Sequence, residues 1–424
     1  MERFYVFNNI VIFLFKNLLL IIYFYIFVTL TEKLKKMSKQ IKLGYEDITI
    51  VPETVSNIRH RSECSLCNDY NNKLPIFTAP MDNVVDLNCY EEFIGNDINV
   101  ILPRTIPLEK RDEYIFREYA DNSIFFALSL TEAQILFLND ILVCTPEQGL
   151  MVKIRKALND KTFVCRICID IANGHMSELL DTIKAIKEKY GEQVVIMSGN
   201  IANPKTYKEY EKAGCDFVRC NIGSGSRCTT SSNTGIHFGC FSLIKEIYEI
   251  KQKINGKCRI IADGGIKGYG DIQKALLYAD YVMIGSLFNK AIDSAGTPTY
   301  GKSYWNIFGE RVLNPFKTLL TYGKPIKPKD YKKVLKQVKE GKLDVWKEYY
   351  GMSTKIAQKK MNNGGKLKTG EGKSQRQKVE YSIEQWVENE QDFLRSAMSY
   401  TNSKTLSEYK DSQWIQLAYR AYNI

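Results

Sequence analysis

The sequence predicts an α/β fold, a single (β/α)8 barrel, on three observations. Eight short apolar runs, each ending in small or polar residues, alternate with segments of helical pattern. With 424 residues, 44% of them hydrophobic, the chain can bury one large core, although length alone also allows two or three smaller domains. Glycine-rich loops follow several runs, where such barrels carry their active sites.

The strand and helix assignments follow from these runs. The predicted strands are residues 75–79, 99–102, 123–128, 163–171, 194–198, 216–221, 259–262 and 281–284. A helix is expected at 203–214, because Asn203 can cap it, Pro204 suits its first turn and Gly214 can end it. Further helices are expected at 270–278 and at 380–398, the latter closing the barrel. Eight strand-helix units favour a barrel over an open doubly wound sheet.

The ends of the sequence define the expected domain organisation. Residues 1–36 form a hydrophobic extension, almost entirely apolar from position 4 to 30 but interrupted by Lys16. Because a central charge is costly in a membrane, we favour a start-site artefact with translation from Met37 over a membrane anchor. Residues 37–424 form one catalytic domain, with an insertion at about 289–348 expected over the catalytic face. Eleven cysteines in a long chain suggest reduced thiols and a cytoplasmic protein.

The net charge of +11 is concentrated in one region. Residues 324–378 contain 17 Lys and Arg against 5 Asp and Glu, a local excess of +12. The region lacks regularly interleaved aromatic residues, so no nucleic-acid partner is expected. It is either a solvated lysine-rich surface or an electrostatic funnel for phosphorylated small molecules.

The loop after the sixth predicted strand contains the candidate nucleophile. It reads Asn-Ile-Gly-Ser-Gly-Ser-Arg-Cys-Thr-Thr from position 221 to 230. Its glycines allow a tight turn that exposes backbone groups, and Ser226 adds a hydroxyl. Cys228 at the mouth of a barrel, beside hydroxyls and positive charge, suits covalent catalysis because the thiolate is the attacking species.

Two later loops predict a phosphate and ribose site. Asp263, Gly264 and Gly265 follow the seventh predicted strand, and Gly285 and Ser286 follow the eighth. The glycines let backbone amides approach a phosphate, and an aspartate carboxylate can accept hydrogen bonds from a ribose diol. Alternatively these are only tight turns, but their joint position beside the cysteine loop favours a binding site.

As an ordered set, these motifs resemble the IMP dehydrogenase and GMP reductase family. The resemblance runs from about Ile41 to the C-terminus and covers Gly-Ser-Arg-Cys-Thr-Thr at 225–230, Asp-Gly-Gly at 263–265, Gly-Ser at 285–286 and Tyr-Gly-Met-Ser at 350–353. It also includes Leu-Gly-Tyr-Glu-Asp at 43–47, Ala-Pro-Met-Asp at 79–82, Asp-Ile-Ala-Asn-Gly at 170–174, Ser-Gly-Asn at 198–200 and Glu-Gly-Lys at 371–373.

The resemblance implies a purine mononucleotide substrate and a nicotinamide cofactor stacked on its base. It implies Cys228 as the nucleophile at purine C2, with Thr230 and Glu371 moving protons. The implied substrate-binding residues are Met81 and Met352 against the base, Asp263 at the ribose, and Ser226, Gly265, Gly285, Ser286 and either Tyr349 or Tyr350 near the phosphate. Gly264 and Gly351 are further implied substrate-binding residues. The implied cofactor contacts are Asp170, Asn173 and Gly174, and a monovalent cation such as K⁺ would bind carbonyls of Gly223, Gly225 and Cys228. Family barrels assemble as homotetramers.

Within the family, the sequence favours the NADPH-dependent reductase, which converts GMP to IMP and ammonia. The dehydrogenase, which converts IMP to XMP with NAD, activates water with an Arg-Tyr pair on a mobile flap. Residues 353–370 contain neither arginine nor tyrosine. There is also no room for regulatory CBS domains between the second and third strands, although some dehydrogenases lack them. A dehydrogenase without CBS domains and an inactive nucleotide-binding barrel stay as alternatives. Ser224, Arg227, Ser231 and a Leu-Pro-Arg turn at 102–104 depart from the family pattern.

Overall fold

A computed structural model describes residues 22–25, 27–29, 41–107, 110, 122–139, 146–159, 163–361, 369–370, 372–410 and 412–417. Its centre is an eight-stranded parallel sheet in the order β2-β9-β8-β7-β6-β5-β4-β3. The sheet closes on itself because Thr78 N donates to Asn99 O at 2.9 Å and Asn99 N donates to Ile76 O at 2.9 Å. The predicted (β/α)8 barrel is therefore confirmed.

All eight predicted strands are present, with small shifts at their ends. They are β2 (Ile76–Thr78), β3 (Val100–Leu102), β4 (Ile124–Leu128), β5 (Cys165–Asp170), β6 (Val194–Ile201), β7 (Phe217–Cys220), β8 (Arg259–Asp263) and β9 (Tyr281–Ile284). A separate antiparallel pair joins β1 (Ile48–Ile50) to β14 (Trp414–Gln416).

The α-helices within the described residues surround the barrel or connect its later strands. They are Tyr90–Gly95, Leu130–Phe137, Pro146–Leu158, Ser177–Tyr190, Tyr207–Ala213, Thr230–Thr234, Cys240–Ile254, Tyr269–Leu276, Ser286–Asn289, Pro315–Thr321, Tyr331–Lys339, Lys355–Met361, Ile383–Tyr400 and Leu406–Tyr409.

The predicted helix boundaries have the expected local chemistry. Asn203 Oδ1 accepts a hydrogen bond from Lys205 N at 3.0 Å, and Gly214 ends the next helix with a φ of 78°. The predicted tail helix is Ile383–Tyr400, which begins with a reciprocal cap between Ser382 and Gln385. Its Trp386 is fully buried and packs edge-on against Phe288, which follows the last barrel strand.

Aromatic side chains fill the barrel interior. The rings of Phe77, Phe125, Phe217 and Tyr281 contact one another with centroids 5.1 to 6.0 Å apart, mostly in edge-to-face arrangements. All four side chains are fully buried. Tyr70 continues this cluster against Phe217, at 5.2 Å between centroids. Edge-to-face rings of this kind add packing energy to their hydrophobic burial, so the cluster forms a dense, apolar core within the barrel.

The segment expected as an insertion contributes three strands to a second, antiparallel sheet, which a later strand, β13, completes. Its order is β11-β10-β12-β13, with β10 (Thr299–Ile307), β11 (Glu310–Leu313), β12 (Leu343–Tyr350) and β13 (Ser374–Lys378). Buried Lys347 ties β12 to the segment after β9, since its Nζ donates to Ala291 O at 3.0 Å and to Ser294 O at 2.8 Å. Burial lowers the pKa of Lys347 to about 7. β12 is thereby held against the barrel.

The chain divides into two units, residues 1–43 and residues 44–424. In the first unit, the described residues 22–25 and 27–29 are helical and exposed. Within the ranges that the structure describes, every helix is too short or too polar to cross a membrane.

The aromatic core predicts a large stability loss when one ring is removed. Phe217→Ala should lower the free energy of unfolding by about 3–5 kcal/mol, because four neighbouring rings cannot collapse into the space left by the fifth. Urea unfolding followed by circular dichroism measures this change. Phe308→Ala is the matched control: its side chain is fully exposed, and a change within about 0.5 kcal/mol is expected. Equal losses in the two variants would contradict the assignment of the core.

Candidate active site

A cavity of about 310 Å³ opens beside the C-terminal ends of the barrel strands. That volume lies within the roughly 300–1,000 Å³ typical of small-molecule sites. Predicted site residues at its wall are Met81, Asp170, Gly223, Gly225, Cys228, Thr230, Asp263, Gly264, Tyr349, Gly351 and Met352. Residues from β5, β8, β12 and the cysteine loop, far apart in sequence, therefore converge on one cavity.

Cys228 lies half-buried in the cavity wall. Its Sγ is 3.1 Å from Thr230 Oγ1, to which it donates a hydrogen bond, and its backbone N donates to Gly225 O at 2.9 Å. Thr230 begins the short helix that follows the loop. A thiol in contact with both the cavity and a hydroxyl can attack a bound electrophile while the hydroxyl exchanges a proton with it.

Beneath the cavity, Arg219 of β7 holds two carboxylates. Its Nη1 donates to Asp170 Oδ1 at 2.6 Å, and its Nε and Nη2 donate to Asp263 Oδ2 at 3.1 and 2.9 Å. Asn200 Nδ2 donates to the same Asp263 oxygen at 2.7 Å, and Arg104 Nε donates to Asp170 Oδ2 at 3.2 Å. Because Arg219 and Asn200 both donate to Oδ2 of Asp263, the Oδ1 atom of Asp263 can accept a hydrogen bond from a ligand.

The charges of this network shift its pKa values in opposite directions. Burial lowers the pKa of Arg219, but the charges of Asp263 and Asp170 outweigh burial and raise it well above its ordinary value. Burial raises the pKa of Asp170, but Arg219 and Arg104 outweigh it and lower the net value. Asp170 and Arg219 therefore both stay ionised throughout the neutral range.

Among the expected phosphate-binding residues, Tyr349 and Gly285 lie next to each other. Tyr349 Oη donates to Met81 Sδ at 3.8 Å, and burial raises the pKa of Tyr349 to about 12. A Cβ added to Gly285 would lie 2.8 Å from Tyr349 Oη, so glycine is needed for this close approach. Gly265, with a φ of 78°, would direct a Cβ to 2.8 Å from Cys240 Sγ. Ser226, Gly265, Gly285 and Ser286 do not line the cavity themselves.

Of the two candidate tyrosines, Tyr349 lines the cavity and Tyr350 lies elsewhere. Tyr350 Oη donates to Asp82 Oδ2 at 3.0 Å and accepts from Lys360 Nζ at 2.8 Å. Asn83 Nδ2 also donates to Tyr350 O at 2.8 Å. Tyr350 therefore fixes the end of β12 to the turn after β2, which carries Met81, while its neighbour Tyr349 contacts the cavity.

Of the expected cofactor contacts, Asp170 lines the cavity, together with Ile171 and Ala172. Asn173 and Gly174 lie outside the lining. Asn173 Oδ1 accepts from His175 N at 3.1 Å, and Gly174 N donates to Asn200 O at 2.9 Å. Gly174 has no room for a side chain, because an added Cβ would lie 2.6 Å from Asn200 O.

Two of the three carbonyls expected to hold a monovalent cation, those of Gly223 and Gly225, already accept hydrogen bonds. Gly223 O accepts from Ser231 Oγ at 3.0 Å, and Gly225 O accepts from Cys228 N at 2.9 Å. Each carbonyl oxygen keeps a second lone pair, so the donor set remains compatible with a cation such as K⁺. Glu371 lies outside the described residues, and its role stays a prediction. Its neighbour Gly372 pairs with Cys228 in an isolated bridge.

Several residues of the cavity wall were not predicted as site residues, notably Arg104, Asn200, Asn221 and Arg227, nor was Arg219 beneath the cavity. Arg219 could have been found, because a charged residue within an apolar barrel strand must have buried partners. Asn200, inside β6, and Arg104, two residues after β3, gave no comparable signal. Their importance depends on which strands are neighbours in the barrel.

Comparisons with known proteins agree with this architecture. Residues 151–343 match the model of the IMP dehydrogenase / GMP reductase domain. A GMP reductase of Staphylococcus aureus (strain JH9) is 32% identical over 274 residues, 62% of this chain and 77% of that protein. GMP reductases of Mesoplasma florum and Shewanella halifaxensis are 27% and 25% identical, each over 88% of this chain and 97% and 94% of their own lengths.

The barrel, the cysteine loop and these relatives together define the class of protein. The chain belongs to the IMP dehydrogenase and GMP reductase family. It is an oxidoreductase, and within the family it is most like the GMP reductases.

The Arg219 network predicts a stability loss that depends on pH. Arg219→Gln should lower the free energy of unfolding by about 3–5 kcal/mol at neutral pH, because two largely enclosed carboxylates lose their shared cation. The pKa of Asp170 is lowered in the folded protein, so its stabilising contribution is present above the unfolded pKa of about 3.9 and declines as pH falls through the folded value. The difference between wild type and variant should therefore shrink in acid.

The measurement is urea unfolding at neutral pH and at successively lower pH. Lys212→Gln is a matched control, since Lys212 forms an exposed ion pair with Glu209 at 3.0 Å. Its removal should change stability by less than about 1 kcal/mol. A difference for Arg219→Gln that stayed constant, or grew, on acidification would mean that the network does not stabilise the folded charges.

Proposed function

We propose that this enzyme is a GMP reductase, which converts GMP, NADPH and two protons to IMP, ammonium and NADP⁺. The observation that carries the proposal is Cys228, whose thiol lies at the cavity beside Thr230 Oγ1. The named activity of the relatives, which match most of this chain, supports the same reaction. Cys228, Thr230 and Asp263 form a set of groups suited to covalent chemistry on a nucleotide.

The proposed reaction begins with attack of the Cys228 thiolate on purine C2 of GMP. The C2 amino group takes up a proton and leaves as ammonia, so the purine remains joined to the enzyme through a C2–S bond. Hydride then adds to C2, the C–S bond breaks, and IMP leaves with the thiolate restored. Thr230 exchanges the thiol proton, and Glu371 is proposed to act with it as the second proton carrier.

The proposed substrate orientation follows from the polar groups around the cavity. The free Oδ1 of Asp263 accepts from the ribose diol, because Arg219 and Asn200 already occupy Oδ2. The phosphate lies toward Ser226, Gly264, Gly265, Gly285, Ser286, Tyr349 and Gly351. The base lies between Met81 and Met352, whose side chains suit a flat, polarisable ring.

NADPH supplies the hydride when it is bound. The chain's contribution on this side is Asp170, whose orientation is fixed by Arg104 and Arg219 before any ligand arrives. We propose that Asn173 and Gly174 contact the nicotinamide riboside from the rim, and that K⁺ binds to the carbonyls of Gly223, Gly225 and Cys228.

The choice of reductase over dehydrogenase rests on the segment after Met352. A dehydrogenase must activate water to hydrolyse its C2 intermediate, whereas the reductase expels ammonia and has no such step. Residues 353–370 lack the arginine and tyrosine that would activate water. A nucleophilic cysteine without a water-activating pair suits a reaction in which the C2–S intermediate reacts with hydride and not with water.

We further propose that residues 1–36 are a separate extension and that residues 37–424 are the catalytic domain. In this proposal the enzyme works as a homotetramer in the cytoplasm. Gel filtration with light scattering tests the assembly.

The proposed reaction predicts opposite results in two assays with the full-length protein in potassium buffer. With GMP and NADPH, the near-ultraviolet absorbance of NADPH should fall while ammonia is released in equal amount. With IMP and NAD, no NADH should form, because water is not activated. NADH formation from IMP would identify a dehydrogenase instead. No absorbance change in either assay would indicate a nucleotide-binding barrel without turnover.

Cys228→Ala should abolish turnover and leave GMP binding nearly unchanged, because the thiol forms the C2–S bond but is not the main binding group. Calorimetry of GMP binding and the NADPH assay measure the two effects. Cys67→Ala is the control, since that thiol is exposed and does not line the cavity. Substantial turnover by Cys228→Ala would rule out the covalent route.

A further inference from the structure

The hairpin of β10 and β11 and the helix after it carry an unusual number of exposed apolar side chains. We call this surface the apolar tip; it comprises Trp305, Ile307, Phe308, Val312, Leu313, Phe316, Leu319, Leu320 and Tyr322, all exposed. Single exposed hydrophobic residues are common on protein surfaces, but a contiguous group marks an interaction site. The proposed reaction uses none of these residues.

The end of the hairpin presents a phenylalanine directly to solvent. Phe308 and Gly309 connect the strands with φ values of 51° and 84°, as a two-residue turn of type I′ requires. Asparagine, aspartate or glycine normally occupies the first of these positions, because positive φ is unfavourable for a bulky side chain. Phe308 is nevertheless fully exposed there, so intramolecular packing does not explain its presence.

The helix Pro315–Thr321 turns its apolar side chains outward. Phe316, Leu319 and Leu320 share one helical face by their spacing, and the first two are 78% and 85% exposed. The helix attaches to β10 through polar groups, since Ser303 N donates to Thr318 Oγ1 at 3.0 Å and Asn314 N donates to Ser303 O at 2.8 Å. A surface helix ordinarily faces its apolar stripe to the core.

Basic side chains are also frequent in the segment that carries the apolar tip. Residues 299–343 contain eleven Lys and Arg against three acidic residues, a net charge of +8, and all eleven cations are exposed. They are Lys302, Arg311, Lys317, Lys324, Lys327, Lys329, Lys332, Lys333, Lys336, Lys339 and Lys342. Aromatic and aliphatic side chains bordered by lysines are the composition of segments that insert into the boundary of an anionic lipid bilayer.

The charge decides between the possible occupants of this surface. A second copy of the chain would bring two such segments, each with an excess of positive charge, together, and their repulsion opposes association. An anionic lipid surface attracts the same lysines and accepts Phe308, Phe316 and Leu319 without requiring a complementary shape. We propose that the apolar tip inserts into the interfacial region of anionic membranes, so that the enzyme binds lipid surfaces peripherally.

Trp305 provides a local test in the full-length protein. Residues 1–36 contain no tryptophan, and of the other three, Trp346 and Trp414 are partly buried and Trp386 is buried. With vesicles of phosphatidylcholine and phosphatidylserine, brominated lipid should quench the wild-type fluorescence, and Trp305→Phe should remove most of that quenching. Vesicle binding without quenching of Trp305 would assign the binding to another segment and overturn the proposal.

Sedimentation with the same vesicles measures the affinity. Replacing Phe308, Phe316 and Leu319 together by serine should lower the vesicle partition coefficient at least about tenfold, because three apolar side chains no longer leave water. Tyr400→Ser removes an exposed aromatic residue elsewhere and should have no such effect. Circular dichroism checks that each variant is folded.

Salt and lipid charge give the remaining tests. Binding should weaken in high salt and with pure phosphatidylcholine vesicles, because attraction between lysines and anionic headgroups is screened or lost. Equal binding by the triple variant and the wild type would contradict the proposal. So would a concentration-dependent dimer that is lost in the triple variant without any vesicle binding, which would indicate a second copy as the occupant.

Discussion

The buried charge of Arg219 is the constraint on which the rest of the site depends. A guanidinium inside a barrel is stable only if carboxylates neutralise it, and the structure supplies one from β5 and one from β8. Both carboxylates consequently have fixed orientations before any ligand binds. Asp263 keeps one oxygen for a ligand, and Asp170 contacts the cavity from the opposite side of the guanidinium. Arg219 does not line the cavity, yet in this way it can set the geometry of the two carboxylates that are proposed to bind ligands.

The aromatic core excludes water from the interior side of this ion network. Phe77, Phe125, Phe217 and Tyr281 fill the barrel interior, so water cannot enter the network from within. Charges in such surroundings interact more strongly than charges in water, which opposes the cost of burying them. Hydrophobic packing and electrostatic orientation therefore depend on each other. The aromatic rings exclude water, and the two carboxylates neutralise the arginine that is buried next to those rings.

The sequence was sufficient to predict the barrel, because each strand is a short apolar run and the loops that reach the cavity have distinctive glycine or cysteine patterns. It could not show that Arg219 joins Asp170 to Asp263, since that contact depends on which strands are neighbours across the barrel. It also left Tyr349 and Tyr350 equivalent. Alternation along β12 separates them, and the contacts of Tyr350 with Asp82 and Lys360 then fix which one contacts the cavity.

The antiparallel sheet explains why the cavity and the apolar tip can serve separate purposes. In its order β11-β10-β12-β13, the tip hairpin lies at one edge, whereas β13 lies at the other, where Lys373 N donates to Arg227 O in the cysteine loop at 2.9 Å. Between them, β12 is anchored to the barrel by buried Lys347. Because this anchor fixes Tyr349 independently of the hairpin, serine substitutions at the tip should leave turnover intact. Lipid binding and catalysis can then be measured separately on the same variants.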